Sequence, residues 1–301
     1  MPGTFVYPER LAALDPERSR ASIAGSETSW WTYEPREAHR WAGDTVIAIH
    51  GFRGDHHGLE LFAAFWPEQR FIVPDLPGFG ESEPLPDDRQ SIDSFGNWLT
   101  AFVETVRPSR GRVVLLGHSF GSIVVSAALA RGLDVDAAML INPISAPALE
   151  GPRGVLTAGA LAWYRLGSAL PERIGRAWLS NRAIVRFMGS AMAKNPEPKM
   201  RRFVHEQHHA YFSKFANRHA LLATFQTSVS HNVADYAAGI AVPLLLIAAE
   251  RDDITPLSAQ HVVAELAPQA TLRIIPNVGH LIHYETPAVA VEHMREFLRT
   301  L

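Results

Sequence analysis

Residues 113–130 read Val113-Val114-Leu115-Leu116-Gly117-His118-Ser119-Phe120-Gly121-Ser122-Ile123-Val124-Val125-Ser126-Ala127-Ala128-Leu129-Ala130. The opening aliphatic run is continuous rather than alternating, as in a strand buried on both faces. From Ile123 to Ala130 small and aliphatic residues without a breaker predict a helix. The joint, Gly117-His118-Ser119-Phe120-Gly121, is a G-x-S-x-G pattern. A strand-to-helix turn this tight forces the serine into strained dihedrals, and glycine on each flank avoids the neighbouring backbone. The turn also lifts the serine hydroxyl clear of the strand and aims the helix N-terminus at it, where negative charge is favoured. The pattern alone is common, and the flanking strand and helix give it force. Ser119 is the candidate nucleophile.

Working outward, similar runs recur at Thr45–His50, Arg70–Pro74, Ala137–Ile141, Val242–Ala248 and Thr271–Ile275. Strands alternating with helical patterns predict a doubly wound, mostly parallel α/β sheet. A more polar pair near Arg20–Ala24 and Ser29–Glu34 predicts an antiparallel edge. Residues 145–232 break the rhythm. They contain no strand candidate and read as helices over Val155–Leu170, Pro171–Ser190 and Pro198–Val229, with Phe203, Tyr211, Phe215, Leu222 and Phe225 at helical spacing. The expected organisation is a core of residues 1–144 and 233–301 with a helical lid, 145–232, inserted between strands 6 and 7. Such a lid would cover the carboxyl edge of the sheet, where open α/β sheets bind ligands.

A serine hydroxyl needs a positioned base, and in this strand order the acid and then the histidine follow the serine. His280 follows the last strand in Pro276-Asn277-Val278-Gly279-His280 and is the candidate base. The acid belongs after Val242–Ala248, where Glu250, Asp252 and Asp253 compete in Glu250-Arg251-Asp252-Asp253-Ile254-Thr255-Pro256. Its task is to accept the second imidazole N–H and stabilise the imidazolium. Oxyanion donors, which contribute roughly 3 kcal/mol each, are expected from the backbone N–H groups of Phe120 and of Phe52 in His50-Gly51-Phe52-Arg53-Gly54. His50 reads as a brace for that loop.

With 301 residues, 47% hydrophobic, a net charge of −3 and mean hydropathy of −0.02, the chain reads as an ordinary globular protein without a nucleic-acid footprint. The absence of cysteine removes disulfides, thiolate metal sites and cysteine nucleophiles. Met1-Pro2-Gly3-Thr4 lacks the start of a signal peptide, and Arg165 interrupts the most membrane-like stretch, Gly154–Leu170. Cytoplasmic localisation is the expectation; no membrane span is expected, and oligomeric state stays open.

Together these pieces make the chain resemble the α/β-hydrolase superfamily, in its lid-bearing branch of esterases, C–C bond hydrolases, dehalogenases and epoxide hydrolases. The matching segments are His50-Gly51-Phe52, Asp75-Leu76-Pro77-Gly78-Phe79-Gly80-Glu81-Ser82, Gly117–Gly121, Glu250–Pro256 and Gly279-His280, in family order across nearly the whole chain outside the lid. The resemblance implies the α/β-hydrolase fold and selects Asp252, four residues before Pro256 in the family's Asp-x-x-x-Pro pattern. It implies a structural role for Asp75–Ser82. Serine at position 119 disfavours dehalogenases and epoxide hydrolases, which carry aspartate there. Arg53 and Ala249 depart from the residues usual at their positions.

His205-Glu206-Gln207-His208-His209 matches H-E-x-x-H formally, with His219 as a conceivable third ligand. An amphipathic lid helix with a polar face is the preferred reading, and no metal or organic cofactor is expected. Asp55, His56 and His57 read as a solvated loop, and Trp30-Trp31 as strand packing. Trp163, Tyr164, Trp178, Phe187 and Tyr211 are candidates for walling a pocket beneath the lid. The expected function is hydrolysis of a small to medium, largely apolar carboxylic ester through an acyl-enzyme. A C–C bond hydrolase with the same triad and a non-catalytic ligand-binding homologue are the alternatives.

Overall fold

The computed structural model describes residues 5–86, 90–148 and 154–301. Met1–Thr4 and the part of the expected lid between 149 and 153 lie outside the described residues. Eight strands form one sheet: β1 (Glu17–Ile23), β2 (Ser26–Tyr33), β3 (Thr45–Ile49), β4 (Arg70–Pro74), β5 (Val113–His118), β6 (Ala137–Ile141), β7 (Leu244–Ala249) and β8 (Ala270–Ile275). Their order is β1-β2-β4-β3-β5-β6-β7-β8, with the β1–β2 and β2–β4 pairs antiparallel and the rest parallel. Strands β3, β5, β6 and β7 are buried along their entire length, which accounts for their unbroken apolar sequences.

Helices cover both faces. They are α1 (Tyr7–Ala12), α2 (Glu60–Phe65), α3 (Ile92–Val106), α4 (Phe120–Ala130), α5 (Gly154–Ala169), α6 (Glu172–Leu179), α7 (Arg182–Met192), α8 (Pro198–Tyr211), α9 (Arg218–Ser230), α10 (Ala234–Ala237), α11 (Leu257–Leu266), α12 (Ile282–Glu285) and α13 (Pro287–Arg299). One core, containing Phe95, Trp98, Leu115 and Val124, packs α3 and α4 on one face of the sheet. The other, containing Val46, Leu116, Ile247 and Met294, packs α2 and α13 on the opposite face. Chain direction across the sheet reverses at the β3–β5 neighbours, and a crevice at the carboxyl ends of strands belongs at such a switch point.

Among the described residues six helices, α5 to α10, occupy the chain between β6 and β7, and α5 to α9 fall within residues 145–232. Two of the three long helices expected there are broken. Pro171–Ser190 divides into α6 and α7, because Asn181 accepts from the N–H groups of Ala183 and Ile184 and starts a new helix. Pro198–Val229 divides into α8 and α9, where Asn217 caps by accepting from Ala220 N–H. The edge pair begins three residues before each expected strand, since Ala24 and Gly25, both left-handed, make the turn between them. Among the described residues no helix is long and apolar enough to cross a membrane.

One tight joint lies between α4 and the end of β3. A Cβ on Gly121 would stand 2.2 Å from Ile49 O and 2.7 Å from His50 O, both fixed backbone atoms. Gly121→Ala should therefore lower unfolding free energy by about 3 kcal/mol or more, measured by urea unfolding. A loss below about 1 kcal/mol would mean the joint is looser than this geometry.

Candidate active site

Ser119 sits at φ 52° and ψ −120°, a backbone conformation that L-residues with side chains avoid. Its N–H donates to Ile141 O at 3.1 Å, and Ser122 Oγ donates to its carbonyl at 2.5 Å. A Cβ on Gly117 would lie 2.7 Å from Gly121 O, so the strand and helix leave room for glycine alone there. Phe120 is the first residue of α4, and its N–H has no acceptor within the helix.

The loop after β3 presses against the serine. A Cβ on Gly51 would stand 3.0 Å from Ser119 Cβ, so Gly51 serves close approach, while Arg53 at φ 64° takes the left-handed turn. His50 Nε2 accepts from Leu76 N–H at 2.8 Å, leaving Nδ1–H to donate to Gly51 O at 2.8 Å. Burial holds the His50 pKa below the ordinary value, in keeping with this neutral tautomer. The Phe52 ring meets Phe79, Tyr164 and Phe225 at centroid distances of 5.5–5.8 Å.

The three residues far apart in sequence come together in one chain of hydrogen bonds. His280 Nε2 lies 2.8 Å from Ser119 Oγ, and His280 Nδ1 lies 2.8 Å from Asp252 Oδ2. Asp252 is buried, and its Oδ1 accepts from Ile254 N–H at 2.7 Å and Thr255 N–H at 3.3 Å. Burial pushes the Asp252 carboxyl up, but His280 and the two backbone donors outweigh it and hold its pKa below the usual range. An ionised Asp252 fixes the proton on Nδ1 and turns the Nε2 lone pair toward the Ser119 hydroxyl. Asp253 points elsewhere, with its side chain 59% exposed in an ion pair with Lys194.

Sequence reasoning missed three supports. Asn142, at φ 45° just past β6, donates from Nδ2 to Asp252 Oδ2 at 3.1 Å and to Gly279 O at 3.4 Å. Glu285 is buried on α12 and accepts from Gly279 N–H at 3.1 Å and from the N–H groups of Lys194 and Asn195, joining the His280 loop to the end of α7. His280 N–H donates to Met192 O at 3.2 Å in the same place. Gly279 is not the turning residue of its loop, because the left-handed position is Asn277 at φ 57°. A Cβ on Gly279 would stand 2.3 Å from Met192 O, so its glycine admits the neighbouring segment. Asn-Pro after β6 is the signal that could have marked Asn142, since asparagine tolerates left-handed backbone. Glu285 carries no such mark.

The aromatic candidates divide. Tyr164 is buried against Phe52 and Phe225, the latter at 4.3 Å, and Trp163 packs partly buried beside it. Phe187 is 73% exposed, because Val185 and Gly189 take the inward face of α7 and residue 187 projects to the other side. Trp178 is also exposed. Tyr211 stacks on His57 at 3.7 Å. The segment read as solvated is not so: His56 and Asp55 are buried, and His56 lies between Trp31 and His57. Asp55, His56 and His57 bring possible metal-ligating atoms within 4.8 Å of one another. Their donors are already engaged, His56 Nδ1 with Asp75 at 2.9 Å and His57 Nδ1 with Asp55 at 3.1 Å, and Lys214 Nζ stands 3.7 Å from the second Asp55 oxygen. This set fits an ion-paired brace better than a cation site. His205 and His209, the pair that the H-E-x-x-H spacing would use, lie one turn apart on α8 facing the same groove, while His208 is buried.

Three histidines around the site are buried and reluctant to ionise. Burial, then the neighbouring His280, pushes His118 down to about 3. Burial pushes His208 down to about 4, and His283, 4.1 Å from the His118 ring, falls well below the ordinary value for the same first reason. Below about pH 6.5 the unfolded imidazoles bind protons that these folded ones refuse. Stability should decline from there on acidification and level off only near the folded values. In urea unfolding between pH 7.5 and 4.5 (about the range where free histidine titrates), His118→Gln should give a shallower decline than the native chain. Parallel slopes would contradict the assignment.

Comparison with known proteins places the chain in a family and a fold. The probable lysophospholipase BODYGUARD 2 of Arabidopsis thaliana is 22% identical over 332 residues, covering 91% of this chain and 63% of its own, so the chain spans a little under two thirds of that relative. The magnesium-chelatase 30 kDa subunit of Rhodobacter capsulatus is 25% identical over 282 residues, covering 92% of this chain and 93% of its own. An esterase from Exiguobacterium antarcticum has the same fold, with a TM-score of 0.75 at 14% identity over 94% of this chain and all of that one. A family model described as alpha/beta hydrolase family matches residues 46–293, a stretch of this chain that includes Ser119, the loop after β3 and His280, and by that match the chain belongs to the alpha/beta hydrolase family.

Proposed function

We propose that the chain is a serine hydrolase that cleaves a small to medium, largely apolar carboxylic ester through an acyl-enzyme. The observation that carries this reading is the pair of 2.8 Å contacts linking Ser119 Oγ, His280 and Asp252. His280 takes the Ser119 proton as the oxygen attacks the ester carbonyl. The oxyanion forms beside the N–H groups of Phe52 and Phe120, at the N-terminus of α4. Imidazolium then protonates the leaving alcohol, and water repeats the sequence on the acyl group. Asp252, held ionised, stabilises the imidazolium, and Asn142 keeps the carboxylate in register. Helices α5 to α9, within residues 145–232, serve as the lid, and Phe52, Tyr164 and Phe225 wall the acyl side. The esterase with the same fold and the lysophospholipase relative are consistent with ester chemistry.

Fluorophosphonate labelling and turnover of activated esters test this directly. The native chain should be labelled at Ser119, and Ser119→Ala should lose at least about a thousandfold in turnover while melting normally. Ester hydrolysis surviving undiminished in Ser119→Ala would refute the assignment. Asp252→Asn should cost on the order of 10⁴ in turnover, since the amide selects the wrong tautomer. Asp253→Asn should leave turnover unchanged, and the reverse ranking would transfer the acid to Asp253.

A further inference from the structure

A groove of about 950 Å³ runs between α7 and α8, lined by Arg182 and Arg186 from one helix and by Arg201, Arg202, His205 and His209 from the other. Neither Ser119, His280 nor Asp252 touches it. Arg182 and Arg186 lie one turn apart on α7, as do Arg201, His205 and His209 along α8, so arginines of the two helices face one groove. Like charges at that spacing repel. All four arginines are exposed, and among the described residues none of them pairs with a carboxylate, although Glu206 stands at the rim. Ser190 Oγ lies 3.4 Å from His205 Nε2 and links the two walls. Burial, then Arg186 and Arg201, lowers the pKa of His205, which places the fields of both helices at one point.

Charge in the whole chain has the same asymmetry. Residues 145–232 carry twelve Lys and Arg against four Asp and Glu, while the remainder carries sixteen against twenty-seven. A chain of net charge −3 is therefore net positive in this one insertion and net negative elsewhere. Large apolar side chains are exposed in the same insertion. Phe187 follows Arg186 directly, and Ile174, Trp178, Val155 and Leu156 are exposed on α6 and α5.

We propose that the α7–α8 groove binds the phosphoryl groups of an anionic lipid surface, seating the insertion on a membrane or micelle. Guanidinium forks match phosphate oxygens in geometry as well as charge, and arginines from two helices suit adjacent headgroups better than a single carboxylate. Cationic side chains beside an exposed phenylalanine match the boundary between headgroups and acyl chains. The inference stands apart from the hydrolase reading, since binding is measured without turnover.

The test is co-sedimentation of the full chain with phosphatidylcholine vesicles, with and without phosphatidylglycerol, alongside calorimetry with inorganic pyrophosphate and with single-stranded RNA. The native chain should bind the anionic vesicles, more weakly as salt rises. Arg186→Glu with Arg201→Glu should bind roughly tenfold more weakly or worse, and Arg186→Gln with Arg201→Gln should fall between. Both variants should keep the native melting temperature and activity on a soluble ester. Binding of pyrophosphate or RNA without the vesicles overturns the lipid assignment, and native-strength binding by the folded variants overturns the groove.

Discussion

A serine backbone in a left-handed, extended conformation costs on the order of 1–3 kcal/mol and persists only where its surroundings hold it. Ser119 is held from every side: its N–H is tied to β6, its carbonyl to Ser122, and its flanking glycines are closed in by backbone. Gly121 lies against the carbonyls of Ile49 and His50, and Gly51 against Ser119 itself. The serine and the loop that carries Phe52 are thus one packed unit. Neither can relax without the other.

Charge in this region is kept scarce. Burial holds His50, His118 and His283 in the neutral state, and the carboxylate in contact with His280 is Asp252. A positive charge arising on His280 would face imidazoles that cannot share it and one carboxylate that can. The low-dielectric packing that penalises His118 ionisation strengthens the Asp252 attraction in the same measure. Asn142 gives that carboxylate a further donor without adding a charge.

Legibility in the sequence follows the strength of the local constraint. The buried parallel strands were readable because both faces demand apolar residues, and the elbow because its turn demands glycine at two positions. Helices α6 to α9 were readable as helices but not as four, because Asn181 and Asn217 look like ordinary polar residues until their side chains are seen to cap. Position 187 shows the limit of pattern reading: an aromatic residue in a helix insertion suggests a wall, yet its exposure depends on which face of α7 meets α8. Asp252 and Asp253 are chemically identical neighbours, and only the turn that directs one toward His280 and the other toward Lys194 separates them. Glu285 was invisible because its role is defined by backbone N–H groups from two distant segments.

That last carboxylate has a mechanical meaning. Glu285 is clamped by amides of residues 194, 195 and 279, and Met192 O receives the amide of His280 itself. Separating the end of α7 from this loop would strip a buried carboxyl group of its donors and free the backbone that aims the imidazole. Residues 192–195 therefore tie the insertion directly to the loop that carries His280. Displacement of α5, α6 or the far end of α7 would leave this tie, and with it the position of the histidine, undisturbed.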